Sequence, residues 1–470
     1  MAGTGTAIVW FRRDLRVRDH PALAAAAAEH EFVVPLFVLD DRLLDGRFAS
    51  APRTAFMLDC LRALDAELIA RGGRLCVRHG KPEHEIQKLA EQVGARTVLW
   101  TSDVSAFARR RDAAVTAVLT TAGVTVSPQP GTYCADVSVP RTKAGTPLTV
   151  FTPFWKQWEQ LERRRLLKAP SRIAWPDGVD AGALPDAPVL ADELPEPICV
   201  PGEPAARMAV DAWLAGPIDA YAERHDTLAG GTSVLSPYLR WGCVSSRALE
   251  ERARQRGSGG AAAFVRQLAW RDFYAHVLLH FPANARVEYQ ERYRNLEWDD
   301  DAELLAAWQQ GRTGYPLVDA GMRQLAATGW MHNRARMVVG SFLTKDLHLD
   351  WRAGEAWFER LLLDGEPAQN NGNWQWIAST GVDPAPYFRR IFNPVLQQQK
   401  FDPDGTFVRR WVPELARVTD ASLAEPWAMS AQEQEAAGCV IGRDYPAPIV
   451  EHADERRVAI ERYRVAGEAE

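Results

Sequence analysis

Four segments in the second half of the chain carry residue types that packing alone does not call for. GTSVLSPYLRWG, Gly231 to Gly242, gathers Thr232, Ser233 and Ser236 ahead of a proline. Such hydroxyls accept hydrogen bonds from the orphan N–H groups of a first helical turn. Hydroxyls and free N–H groups at a helix start also bind phosphate oxygens, and the residue types leave both readings open. RQLAWRDFYAHVL, Arg266 to Leu278, sets Arg271 and Asp272 inside an otherwise apolar helical run. Buried charge needs a partner, so an internal ion pair is the plain structural reading. Trp270 reads as core or as a stacking face. GYPLVDAGMRQLAATGWMHNRARM, Gly314 to Met337, ends in His332, Asn333, Arg334 and Arg336. Asn and Arg suit phosphates and base edges, whereas a lone His is more often structural than catalytic. LLLDGEPAQNNGNWQWIASTG, Leu361 to Gly381, places Asp364 and Glu366 ahead of Asn370, Asn371, Trp374 and Trp376. Two carboxylates could do hydrolytic acid–base work, but no other motif supports a hydrolase. A polar, aromatic pocket around a heteroaromatic ligand fits the set better.

The elements that must position these residues fall into two textures. Up to about Pro130, AIVWF, FVVPLFVL, RLCVRHG, TVLWTSD and VTVSPQP read as strands. Between them, APRTAFMLDCLRALDAELIARGG and PEHEIQKLAEQVGA carry apolar residues at helical spacing, each with Gly at its end. Alternating strands and helices predict a five-stranded parallel sheet, doubly wound and Rossmann-like, over residues 1–130. Ligands of such sheets bind at the carboxyl ends of the strands. GxGxxG is absent and the first strand runs into FRRDLR, so a nicotinamide site is not expected here. Residues 131–204 are rich in proline and poor in periodicity, as in ADELPEPICVPGEP, and read as a long linker wrapped on the surface. Residues 205–470 are helical by pattern: DDAELLAAWQQG, VDAGMRQLAATG and GEAWFERLLLDG are amphipathic, with Gly beyond the end.

Bulk properties narrow the class. Of the 470 residues, 47% are hydrophobic and 25% charged, an ordinary globular composition. The start has no basic region followed by an apolar leader, and no apolar run approaches the ~20 residues needed to cross a bilayer. Six scattered cysteines without ligand spacing read as free buried thiols in a cytoplasmic protein with no metal site. A net charge of −6 argues against coating nucleic acid, but not against a local basic surface. Seventeen tryptophans are many, and eleven of them lie from Trp241 onward. Tryptophan is a costly core residue that also stacks bases and carries electrons.

Taken together the motifs are specific. TSVLSPYLRWG, LAWRDFY, GYPLVDAGMRQL, GWMHNRARM, NNGNWQWIASTG and RIFNP stand in the order found in the photolyase/cryptochrome family, and VWFRRDLRVRDHPAL resembles its opening. The resemblance runs from Ile8 to about Leu415, and MHNR followed by NWQW is most similar to class I cyclobutane pyrimidine dimer (CPD) photolyases. It implies an α/β antenna domain, a long linker and an all-helical domain that binds FAD. Tyr221, Thr232, Ser233, Val234, Leu235 and Ser236 would hold the phosphates and ribityl chain. Arg271, Asn333 and Arg336 would line the cofactor, Asp364 and Glu366 would lie on its isoalloxazine side, and Asn370 would face the redox-active ring nitrogen. A carboxamide there, which can offer either oxygen or nitrogen, favours repair, because cryptochromes are expected to carry an acid or a cysteine. DNA containing pyrimidine dimers would be the partner of a monomer. The dimer would sit between Trp270 and Trp376, touched by Gln267, Asn333, Arg334 and Met337, with Arg390 on a phosphate. Trp374, Trp351 and Trp298 match a chain that carries electrons to oxidised flavin. Excited, reduced, anionic FAD would give an electron to the dimer, the ring would split and the electron would return, the cofactor doing the hard chemistry.

The pattern is broken in places. Gln267 stands where many CPD photolyases have Glu; its amide can donate a hydrogen bond but not a proton. The (6-4) photolyases also have Gln there, but they use paired histidines where this chain has His332–Asn333. YFRRIFNP holds one arginine more than the usual pattern, which sets Arg389 against Arg390 for the phosphate contact. SDVSAFARRRD lacks the Asn–Glu pair of folate-binding relatives. The antenna is therefore expected to be 8-hydroxy-5-deazaflavin rather than folate, held by Phe37, Asp40, Arg53, Asp103 and Phe107. A cryptochrome that signals without repair is disfavoured, because no disordered composition follows Leu415.

Overall fold

The computed structural model describes residues 5–46, 49–186 and 197–468. Five strands, β1 (Thr6–Phe11), β2 (Phe32–Leu39), β3 (Cys76–His79), β4 (Ala95–Thr101) and β5 (Thr125–Gln129), form one sheet in the order β3-β2-β1-β4-β5. Every neighbouring pair is parallel. The side chains of β1 alternate between two apolar layers. Ala7, Val9 and Phe11 enter one core, Ile8 and Trp10 the other. This is why the strand shows no polar alternation: both faces are covered. The covering helices are α1 (Pro21–Glu29), α2 (Ala51–Ile69), α3 (Pro82–Val93) and α4 (Ala106–Thr121). α3 starts on Pro82 and stops at Gly94, whose φ of 61° is a conformation that costs glycine little. The predicted α/β alternation is present. α1 and α4 complete it with weak patterns of their own, PALAAAAAE and AFARRRDAAVTAVLTT, which have no clear apolar stripe.

The segment read as a surface linker is partly interior. Within it, α5 (Phe151–Trp158) buries Phe151, Phe154 and Trp158. Near its end, Glu203 accepts from the backbone N–H groups of Val17 (2.7 Å) and Arg18 (3.2 Å), pinning the chain to the loop after β1. Of ADELPEPICVPGEP, residues 191–196 lie outside the described residues. Aperiodicity here reflects a segment that packs without regular structure, not one that lies outside the core.

The second half is helical. The elements that matter are α6 (Ser236–Trp241), α7 (Gly259–His280), α8 (Asn333–Ser341), α9 (Trp351–Leu361), α10 (Pro367–Ile377) and α11 (His452–Glu468). One apolar core runs from Ala7 and Leu61 through Phe154 to Leu268 and Phe273, so the two halves share an interior. A second core lies among α8, α9 and α10. The expected Arg271–Asp272 ion pair is not formed. Asp272, fully buried, accepts instead from Cys134 N (3.0 Å), Ala135 N (3.2 Å) and Trp158 Nε1 (2.9 Å). Arg271 donates to the Thr132 carbonyl at 2.9 Å. Burial pushes the Asp272 carboxyl up to about 6, against the pull of Arg271. All three donors fall on Oδ2, and Oδ1 is buried with no partner among the described residues; neutral donors take the place of a cation, and the sequence does not distinguish them. All six cysteines are free, and all but Cys199 are buried. Among the described residues, no helix is long and apolar enough to cross a membrane.

Candidate cofactor and DNA site

α10 carries the centre of the site. Asn370, Trp374 and Ile377, four and three residues apart, fall on one helical face and line a cleft. Glu366 starts that helix. Its Oε2 accepts from Gln369 N at 3.0 Å, and its Oε1 accepts from Arg13 Nη1, on the loop after β1, at 2.8 Å. Burial alone would push Glu366 up, but Arg13, Arg271 and Arg240 outweigh it and hold the carboxyl below its ordinary value. The opposite wall is α8, with Asn333, Arg336 and Met337 on one face. His332 caps it, Nδ1 accepting from Arg334 N at 3.1 Å. Burial depresses this imidazole to about 4, so His332 is a neutral structural cap. Arg336 Nη2 pairs with Asp364 Oδ2 at 2.8 Å, while Asp364 Oδ1 is buried with no partner among the described residues.

Asn370 is polarised by its neighbours. Its Nδ2 donates to the Glu355 carbonyl (3.0 Å) and to Glu359 Oε2 (3.3 Å). A carbonyl can only accept, so the NH₂ must face it and the amide oxygen is left for the cleft. These groups fit a heteroaromatic cofactor with ring N–H and hydroxyl donors: an orphan carboxylate oxygen, an amide oxygen and the Trp374 indole on one surface.

Residues 232–236 do not line the cleft. Val234 has a φ of 50°, uncommon for any side chain and strained for a β-branched one. α6 has no side-chain cap, so the capping reading fails there. Ser236 Oγ accepts from Trp330 Nε1 at 3.1 Å, which ties the segment to the loop leading into His332. Leu235 is core, and Tyr221 packs edge-on against Trp213 and Phe264. Arg271 also lies outside the cleft lining, with its guanidinium 5.1 Å from the Tyr133 ring.

A neighbouring cavity of about 240 Å³ is lined by Trp270 and Trp376, with Tyr274, Arg266 and Asp383. Trp376 lines both spaces. Each indole is braced. Trp270 stacks on Phe151 at 3.7 Å, and Trp376 lies under the Arg390 guanidinium at 4.2 Å while its Nε1 donates to Asp383 at 2.9 Å. A side chain on Gly372 would meet Tyr274 at 2.2 Å, so only glycine leaves the ring in place. Gln267 is exposed one turn before Trp270 and lines neither space, and Arg334 pairs with Asp226 at 2.6 Å. Arg390 corrects the expectation of a phosphate contact. It is 3% exposed, pairs with Asp383 at 2.7 Å and donates to the Trp376 carbonyl, whereas Arg389 is exposed. The residues that brace the tryptophans were not read from sequence. FTPFWKQW could have signalled Phe151 through its helical spacing; nothing local marks Asp383.

The three tryptophans expected to carry electrons grade outward in burial. Trp374 lines the cleft, Trp351 is fully buried with its indole N–H on Glu288 (3.1 Å), and Trp298 is half-buried. The bond from Asp299 N to the His348 carbonyl (2.9 Å) ties the Trp298 loop to the chain entering α9. A methyl on Gly354 would lie 2.1 Å from Trp374, so the helix backbone runs against that ring.

A larger cavity, about 630 Å³, lies where the carboxyl ends of β1, β2 and β4 meet the helical half. Phe37, Asp40, Arg53, Asp103 and Phe107 all line it. Arg13 pairs with Asp103 at 2.7 Å. Despite burial, Arg13 and then Arg12 hold the Asp103 carboxyl down to about 2. Arg42 and Arg111 each lie 5.7 Å from the Phe107 ring.

Comparison with known proteins accords with both halves. Residues 7–172 match the family described as DNA photolyase, and residues 264–465 match the FAD binding domain of DNA photolyase. A deoxyribodipyrimidine photo-lyase of Streptomyces griseus is 44% identical over 97% of this chain and 99% of its own. A class III photolyase from Agrobacterium tumefaciens superposes with a TM-score of 0.91 at 35% identity, covering 100% and 99% of the two chains. A Synechocystis cryptochrome gives 0.89 at 29%, covering 98% and 99%. A photolyase from Sulfolobus tokodaii, solved with two FAD molecules, gives 0.85 at 31%, covering 98% and 100%. With that identity spread over nearly the whole length of both chains, the protein belongs to the DNA photolyase family.

Proposed function

We propose that this chain repairs cyclobutane pyrimidine dimers in DNA by light-driven electron transfer. The observation that carries the reading is the cavity between Trp270 and Trp376, which shares Trp376 with the cleft that holds Asn370. Flipping a lesion out of the duplex costs a few kcal/mol. Stacking on an indole returns about 1–3 kcal/mol per base, so two braced faces offset that cost. Bracing matters because a tryptophan already fixed in plane loses no further freedom on binding.

FAD bound in the cleft would supply the photoexcited electron. Asp364 would accept from a donor on the ring through Oδ1, and Arg336 holds that carboxylate in place. Asn370 would offer its oxygen to the ring nitrogen, favouring the form that carries a proton there. Strained Val234 would open backbone N–H groups and the hydroxyls of Thr232 and Ser233 to the phosphates, with Tyr221, Leu235, Ser236 and Arg271 around them. Trp374, Trp351 and Trp298 would return electrons from the surface. Gln267 would reach the dimer from the rim, and Arg389 would replace Arg390 as the phosphate contact.

In this reading residues 1–130 gather light, 131–204 tie the halves together and 205–470 do the repair. The cavity at the strand ends would hold the antenna, 8-hydroxy-5-deazaflavin, against Phe37 and Phe107. Mass spectrometry of the released chromophores tests that identity. The dimer-binding cavity is complete within one chain, so a monomer suffices. The deciding experiment gives the reduced protein an oligonucleotide with one thymine dimer, in blue light and in the dark. Light-dependent recovery of the two thymines is expected. No recovery with flavin bound and reduced overturns the reading, and a (6-4) lesion run in parallel separates the other repair activity from a light receptor.

A further inference from the structure

An ion pair between the two halves of the molecule lines the large cavity and reaches Asn370 in the cleft. Arg53, from α2 in the α/β half, reaches into the helical half. It pairs with Glu359 Oε1 at 3.0 Å and donates to the Glu359 carbonyl at 2.6 Å and the Leu362 carbonyl at 3.4 Å. The other carboxylate oxygen, Oε2, accepts from Asn370 Nδ2 at 3.3 Å. Arg53, Glu359 and Asn370 are 5%, 6% and 8% exposed, so water competes little for any of these bonds. Gly365 makes the reach possible: a side chain there would meet Arg53 Nη1 at 2.5 Å.

An amide in a cleft can turn either end to a ligand, and only its neighbours decide which. Two acceptors bracket the Asn370 NH₂: the Glu355 carbonyl, which is fixed backbone, and the Glu359 carboxylate. The second is held in place from its far side, where Arg53 pairs with Oε1 and leaves Oε2 to Asn370. We propose that Arg53 and Glu359 are positioning residues that hold the Asn370 carboxamide with its oxygen toward the flavin, so that the α/β half sets the hydrogen bond offered to the redox-active nitrogen. The inference rests on the flavin reading above. Its consequence has a sign. An acceptor facing that nitrogen favours the reduced, N–H-bearing flavin; a donor would favour the oxidised one.

Glu359→Gln keeps shape and volume. Its single amide oxygen goes to Arg53, the charged donor, which leaves an NH₂ facing Asn370 and weakens the present orientation. Redox titration of the FAD-loaded protein is expected to show the reduced-to-oxidised ratio falling about tenfold, the weight of one hydrogen bond to a charged group. For a two-electron couple that is about 30 mV lower. Arg53→Lys, which keeps the charge but loses the two-pronged contact, shifts it the same way by less. The decisive arm is the double variant. In an Asn370→Ala background Glu359→Gln has no amide left to turn and shifts nothing further. An unchanged potential in Glu359→Gln, or an equal shift in the Asn370→Ala background, overturns the proposal while the flavin reading stands. Failure of the unmodified chain to take up FAD overturns both.

Discussion

The cleft around Asn370 and the cavity at the strand ends are built on different plans. The cleft in the helical half keeps hydrogen-bonding capacity in reserve: Asp364 Oδ1 has no partner among the described residues, and Asn370 turns its oxygen inward. The cavity at the strand ends has already matched most of its charges, Arg13 with Asp103 and Glu366, Arg12 with Asp112, and Asp40 with Arg42. A ligand of the first completes buried polar groups and is costly to lose. A ligand of the second meets the Phe37 and Phe107 faces and carboxylates that are already paired, so its loss strands none of those carboxylates. Repair and light gathering should therefore be separable, the first demanding its cofactor and the second tolerating loss of its own.

The sharpest test of that contrast is Trp374→Phe. Light-driven reduction of oxidised flavin, followed by absorbance under illumination, should be lost, while chemically reduced protein still repairs; Trp241→Phe, in the wall of the other cavity, should leave both intact. Next comes Arg390→Met, which takes the charged partner from Asp383, itself 32% exposed, and the brace from Trp376, and should cost about 1–3 kcal/mol in a denaturant melt. Arg389→Ala should cost under about 0.5 kcal/mol while lowering the salt dependence of DNA binding by about one ion. A full effect of Arg389→Ala on stability would reverse their assignment. Acid comes third. The His332 imidazole, set by burial to about 4 against an ordinary 6.5, contributes stability that is complete above 6.5 and lost as pH falls through about 4. That loss is up to about 3 kcal/mol, and His332→Asn should flatten it. Asp272 works the other way. Raised by burial to about 6 from 3.8, it lends stability below 3.8 that is lost as pH rises through about 6. Trp376→Ala should weaken binding of a dimer-containing oligonucleotide by about 1–3 kcal/mol and leave undamaged DNA alone. The smallest effect is Phe107→Ala: less antenna chromophore retained on purification, and no change in repair when light is absorbed by the flavin directly.

The sequence by itself determined the layered sheet, because strands buried on both faces must be apolar throughout. It also determined the helical half, because amphipathic runs with terminal glycines stop where the pattern stops. It marked Asn370, Trp374, Asn333 and Arg336 as residues packing would not choose, and the structure gathers them in one cleft. Only the tertiary structure decided which arginine is surface and which is brace. Arg389 and Arg390 are chemically identical neighbours, and the choice depends on how the loop after α10 folds back to set Asp383 and Trp376 against one of them. The same holds for Asp272, whose partners come from Cys134, Ala135 and Trp158 rather than from the arginine beside it. It holds again for Asn370, oriented by a glutamate on another helix and an arginine over 300 positions away. Local periodicity records what each segment must bury. The partner of a buried polar group is fixed by which distant atoms the fold brings within three ångströms, and no local pattern carries that.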